Sequence, residues 1–185
     1  MSDNPDGPSL KRVGRCHVFG DAVPMDEGVM AFEYVIKRII DPQVLVPELF
    51  RHIDPAFAKR VEPGDIVVAG RDFGCGKPHG TGFIAMRSLG LGILCESMPT
   101  RSHRNAVSRG LPILVGCIGV RELLSTGDRI EVDYVSGEVR NLTTGASAKY
   151  PGMPAVLLDI VRAGGTAGFL RNWLATHPEL GGASS

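Results

Sequence analysis

"PGDIVVAGRDFGCGKPHGTGFIAMRSLG", residues 63–90, reads in succession as a turn, a strand, a glycine-rich turn and a helix. Pro63-Gly64 turns the chain, and the apolar, β-branched run that follows is short, the mark of a buried strand. Downstream, Phe83, Ile84, Met86 and Leu89 fall at helical spacing, and Gly90 ends the run. Gly74, Gly76, Gly80 and Gly82 thus occupy a strand-to-helix turn, a common place for a binding site in an α/β fold.

The flanking segments repeat the theme. "RVGRCHVFG" is a first strand ending in a glycine turn, and "LGILCES" and "LPILVG" are further apolar strands. The polar helix "RSHRNAVSRG" lies between these last two. Strands alternating with short helices predict a parallel sheet. "PQVLVPELFRH" and "DPAFAKRV" are expected as short helices, the second capped by Asp54 with Pro55 in its first position. Beyond residue 127 the pattern changes. "DRIEVDYVSGEVRNLTTGASAKY" alternates apolar and polar residues around Ser136-Gly137, a hairpin signal. "PAVLLDIVRAGGTAGFLRNWLATH" reads as helix, Gly-Gly break, helix. The expected class is α/β with a parallel centre, a β-hairpin ribbon and C-terminal helices. Residues 11–177 are expected to form one domain, between flexible tails at 1–10 and 178–185.

Composition narrows the function classes. The 185 residues are 43% hydrophobic and 22% charged, ordinary for a globular chain with a real core. Formal net charge is zero, so no basic field draws in nucleic acid or an anionic membrane. No apolar run approaches the roughly 20 residues of a membrane span, and "MSDNPDGPSLKR" lacks a signal peptide's apolar core. A cytoplasmic location is the expectation. Cys16, Cys75, Cys95 and Cys117 form no CxxC pair and read as free thiols, three of them in or beside apolar runs.

The glycine turn admits several chemistries. Backbone N–H groups at a helix start favour an anion such as a carboxylate, while Lys77 adds a flexible charge and His79 a group that titrates near neutrality. The bland alternative is a plain turn with Lys77 in solvent. A helix start also lowers a thiol pKa, but Cys75 reads better as structural. His79 and His103 have no third metal ligand at recognisable spacing, so no metal is expected on this chain. His17 and His52 read as packing or surface residues, and Arg109 as part of a solvated helix face. Asp21 and Asp26 are placed to orient pocket groups or to cap the next turn.

Four blocks, "GDAVPMD", "DPAFAKRVEPGDIVVAGRDFGCG", "LGLGILCES" and "RNAVSRGLPIL", resemble in order and interval the small subunit of 3-isopropylmalate dehydratase, over roughly residues 11–175. The resemblance implies a three-layer β/β/α swivelling domain like the C-terminal domain of aconitase. It implies a large partner subunit whose own cysteines hold a [4Fe-4S] cluster, with no cofactor bound by this chain. It implies a small hydroxy-carboxylate substrate, whose hydroxyl the cluster's iron takes as a Lewis acid while a base removes a proton α to a carboxylate.

The departures from that family fall at Pro24 and Met25, at residues 97–101, where Arg101 comes one place late, and above all in the loop. Where the family continues Ser-Ser-Arg-Glu-His, this chain has Lys77, Pro78, His79, Gly80 and Thr81. The alignment puts Lys77 in the place of a catalytic serine and His79 in that of a substrate-binding arginine. Lys77 is therefore a candidate base or carboxylate binder, with His79 beside it. Gly76, Thr81, Asp26, Arg101 and Arg104 are the candidate substrate-binding residues. In "MAFEYVIKR", Phe32, Tyr34 and Val35 are candidate walls for the substrate side chain. These differences point to a hydro-lyase small subunit, inactive alone, acting on a hydroxy-di- or tricarboxylate other than ordinary 3-isopropylmalate. The alternatives are a non-catalytic swivelling domain that binds a carboxylate or regulates a partner, and an iron-free enzyme using Lys77 and His79.

Overall fold

The computed structural model describes residues 10–178; apart from Leu10 and Pro178, the tails expected at 1–10 and 178–185 lie outside the described residues. The strands are β1 (Lys11–Val18), β2 (Ile66–Ala69), β3 (Gly92–Cys95), β4 (Ile113–Val115), β5 (Arg129–Asp133), β6 (Glu138–Asn141) and β7 (Ser147–Lys149). They lie in the order β4-β3-β2-β1-β5-β6-β7. The helices are α1 (Phe32–Ile36), α2 (Pro42–Leu45), α3 (Phe57–Arg60), α4 (Thr81–Ser88), α5 (Thr100–Ser108), α6 (Val120–Leu123), α7 (Ala155–Arg162) and α8 (Thr166–Thr176).

Strand β1 serves both halves of the sheet. Its C-terminal part, Cys16 to Val18, pairs parallel with Ile66 to Val68 of β2. Its N-terminal part, Lys11 to Arg15, pairs antiparallel with β5. Every residue of β2 and β3 is buried, as a parallel strand covered on both faces requires. β5 and β6 instead alternate buried and more exposed residues, with one face on the core. The mixed α/β class with a ribbon and C-terminal helices is therefore what the residues build.

Local departures have local causes. Pro47 removes an N–H, so the helix expected over residues 42–52 becomes α2, capped by Asp41, and a 3-10 turn over Val46–Glu48. The helix expected from Asp54 starts only at Phe57. The Asp54 carboxylate accepts from Ala56 N at 3.3 Å and pairs with Arg60, closing a turn first. Stacked Phe19 and Phe50, with centroids 4.3 Å apart, meet Phe57 and Phe73 in an aromatic cluster beneath the glycine loop. Each such pair contributes about 0.5–1.5 kcal/mol beyond area burial. Among the described residues no helix is long and apolar enough to cross a membrane.

Candidate functional site

Two loops run side by side where β1 and β2 end. Phe19 N donates to Val68 O, Gly70 N to Gly20 O, Ala22 N to Arg71 O, Gly74 N to Val23 O and Met25 N to Cys75 O, all within 3.1 Å. The pairing of β1 with β2 thus continues past both strands, with Pro24 opposite Cys75. This ladder brings "GDAVPMD" against "GRDFGCGK". Two carboxylates fasten it. Asp21 Oδ1 accepts from Arg71 N at 2.8 Å and from Arg121 at 2.8 Å, and these neighbours hold its pKa below the usual value. Asp26 Oδ1 accepts from Lys77 N at 3.0 Å. Gly76 lies at φ +79°, and a β-carbon there would sit 2.3 Å from Asp26 Oδ1, so the latch requires glycine. Ala22, Glu27 and Asp72 also adopt positive φ, placing local strain in these two loops.

Beyond the latch, Pro78 separates two side chains with opposite environments. Lys77 is exposed, with Nζ 4.8 Å from the centre of the Phe32 ring, a cation–π contact. His79 is 8% exposed, its ring 6.1 Å from that of Phe32. Neither ring nitrogen of His79 has a hydrogen-bond partner in good geometry. Burial pushes its pKa below 6.5, and the Asp26 carboxylate and Met25 carbonyl only partly offset this. Gly80 then heads α4, with no side chain capping the helix, and Thr81 is buried in its first turn. The uncapped amides and the positive end of the dipole leave this terminus suited to an anion.

The structure brings Asp26, Phe32, Gly76, Lys77, His79 and Thr81 to this one loop end. Tyr34 packs against the core instead, and Val35 is half-buried on α1. Arg101 and Arg104 are exposed on α5, with no hydrogen bond or ion pair among the described residues. Arg109, expected in solvent, is half-buried and lies over Gly80: a β-carbon on Gly80 would be 2.4 Å from its Nε. Its Nε donates to Asn105 Oδ1 at 3.1 Å. The signal that locates it is a contact between residues 29 positions apart, which the sequence does not display.

Among the described residues no three His, Cys, Asp or Glu side chains are placed to hold a metal ion. Burial pushes the Cys16 thiol to about 11 and the Cys117 thiol to about 12, and raises Cys95 further. These three thiols are buried among the core side chains. Cys75 is half-buried, and its backbone carbonyl belongs to the loop ladder.

The sheet thus passes from parallel to antiparallel at its first strand, with the glycine loop at the parallel end. No protein-family model matches the chain. It is 34% identical over 163 residues to the isopropylmalate/citramalate isomerase small subunit of Methanocaldococcus jannaschii, covering 88% of this chain and 95% of the relative. It is 38% identical over 160 residues to a 3-isopropylmalate dehydratase small subunit of Pyrobaculum calidifontis, covering 86% and 96%. The crystal structure of a 3-isopropylmalate dehydratase from Methanocaldococcus jannaschii superposes with a TM-score of 0.83 at 27% identity, covering 91% of this chain and 98% of that one. The chain belongs to the 3-isopropylmalate dehydratase small-subunit family, within the aconitase group of lyases.

Proposed function

We propose that this chain is the small subunit of a two-subunit hydro-lyase that dehydrates and rehydrates a hydroxy-di- or tricarboxylate. The observation that carries the reading is His79. It is buried and held neutral, with neither ring nitrogen in a well-formed hydrogen bond, between an exposed cation and an uncapped helix start. Lys77 and the α4 amides bind one substrate carboxylate. A neutral imidazole beside that carboxylate accepts the α-proton and returns it on rehydration. Phe32, carrying Lys77 on its ring face, forms a wall of the side-chain pocket. Because Lys77 and His79 stand where the family has a serine and an arginine, we propose a hydroxy-carboxylate other than 3-isopropylmalate as the substrate. Membership of this family supports a [4Fe-4S] cluster on the large subunit, with exposed Arg101 and Arg104 facing that subunit.

The test is co-expression with the large subunit followed by assays on 3-isopropylmalate, citramalate and malate. The pair should turn over a hydroxy-dicarboxylate and the single chain none. Activity of the single chain, or a pair with ordinary 3-isopropylmalate preference, would overturn the corresponding part. In the active pair, Lys77→Ala should raise KM about tenfold with kcat nearly intact. That is the loss of one charge-assisted contact made equally in ground and transition states. A large fall in kcat at unchanged KM would make Lys77 the base instead.

A further inference from the structure

We infer that Arg109 is a second carboxylate-binding residue of this site, reaching over Gly80 from the C-terminal end of α5 to the start of α4. The inference rests on the carboxylate site proposed above and adds a residue to it. Three observations converge. The guanidinium lies so close to Gly80 that any side chain there would displace it: the nearest approaches to a β-carbon would be 2.4 Å, from both Nε and Nη2. Asn105, one turn earlier on α5, accepts from Nε at 3.1 Å and so aims the terminal nitrogens. Arg109 also has no ion pair with any carboxylate among the described residues.

Electrostatics makes that arrangement incomplete as it stands. Arg109 follows the last residue of α5, where its charge would suit that helix's negative end. Its side chain instead goes to the start of α4, where the dipole is positive and no side chain caps the amides. A half-buried cation beside a positive helix end is unfavourable, and burial accordingly lowers the Arg109 pKa. A carboxylate reached by both the guanidinium's terminal nitrogens and the α4 amides would satisfy both, and the planar fork of a guanidinium matches a carboxylate's two oxygens. His79, buried directly before Gly80, is the next polar side chain at this helix start. Lys77 precedes the α4 start in the chain and Arg109 reaches it from α5, which offers a dicarboxylate two cations.

The experiment is a cycle of steady-state kinetics on the reconstituted pair. It compares wild type and Arg109→Gln on the preferred hydroxy-dicarboxylate and on each of its two monomethyl esters. Arg109→Gln should raise KM for the diacid about tenfold or more, with kcat changing far less. For one of the two esters the penalty should vanish, because the carboxylate that Arg109 holds is already gone. Gly80→Ala, which keeps the charge but occupies its place, should raise KM for the diacid likewise. A KM for the diacid unchanged in Arg109→Gln, while Lys77→Ala still raises it, would remove Arg109 and leave the loop site standing. An equal penalty on the diacid and both esters would show a structural role and overturn the inference. If Lys77, His79 and Arg109 variants all bind and turn over as wild type does, the carboxylate site itself falls.

Discussion

Replacing His79 by alanine in the reconstituted two-chain enzyme is expected to lower kcat by roughly 100-fold or more, with a smaller change in KM. The expectation follows from position and charge state. His79 is buried directly before the α4 start, neither ring nitrogen is in a well-formed hydrogen bond, and burial holds it neutral at pH 7. A neutral imidazole is the form that accepts a proton. The acid limb of kcat/KM should therefore fall with an apparent pKa below 6.5. Stability should share the sign. The folded-state pKa lies below the unfolded one, so on acidification the unfolded chain takes the proton first. Stability is thus lost as pH drops from about 6.5 towards the folded pKa. Half-buried His103 shifts in the same direction, so the histidine in question is isolated by difference. His79→Gln should flatten part of the acid slope in urea-denaturation midpoints. A kcat within threefold of wild type in His79→Ala would sink the proposed role.

Much of this could be read along the chain, and what could not has a common cause. The buried strands announced themselves because β2 and β3 are apolar at every position. The hairpin at Ser136-Gly137 and the Gly164-Gly165 break between α7 and α8 were equally visible, since turn chemistry is local. β7 was not distinguished within the ribbon: Ser147, Ala148 and Lys149 are small or polar, and only partial burial of Ala148 marks an inner face. The single turn of α6 has too few residues to show a period. At the site, the sequence marked the loop but could not sort its side chains. Lys77 and His79 are two positions apart, yet one faces solvent and the other is buried, because Phe32 and the paired loop lie on one side only. Arg109 looked solvated because a polar helix end says nothing of a second helix start folded against it. The latch between Asp26 and Lys77 joins residues 51 positions apart. Such contacts are set by tertiary packing, which one-dimensional patterns do not carry.

Substituting Asp65 by alanine should destabilise the folded chain by about 3 kcal/mol or more, which for a chain of this size is a fall of roughly 6–12 °C in Tm. Asp65 stands where β1 passes from one half of the sheet to the other. Its Oδ1 accepts from Arg15 N at 2.9 Å, at the last residue paired with β5. Its Oδ2 accepts from Glu62 N at 2.9 Å, closing the turn that leads into β2. The same oxygen lies 2.8 Å from Nε2 of buried His17, which sits edge-on to Phe57 on the parallel half of β1. One carboxylate therefore holds two backbone donors and a buried ring. Without it, the buried His17 ring loses its partner, a loss of about 1–3 kcal/mol, and the backbone donors of exposed Arg15 and Glu62 lose the acceptor that fixes the turn. Asp65→Asn should cost less, since its amide oxygen can still accept from one backbone N–H. His17→Phe should cost less again, because both backbone bonds to Asp65 remain and the unpartnered Nδ1 is removed. The order Ala, then Asn, then the His17 variant can be measured by urea denaturation of the isolated chain at neutral pH. Equal small losses for all three would mean that the hand-over between the halves is held by the strand ladders alone, and that Asp65 only decorates the turn.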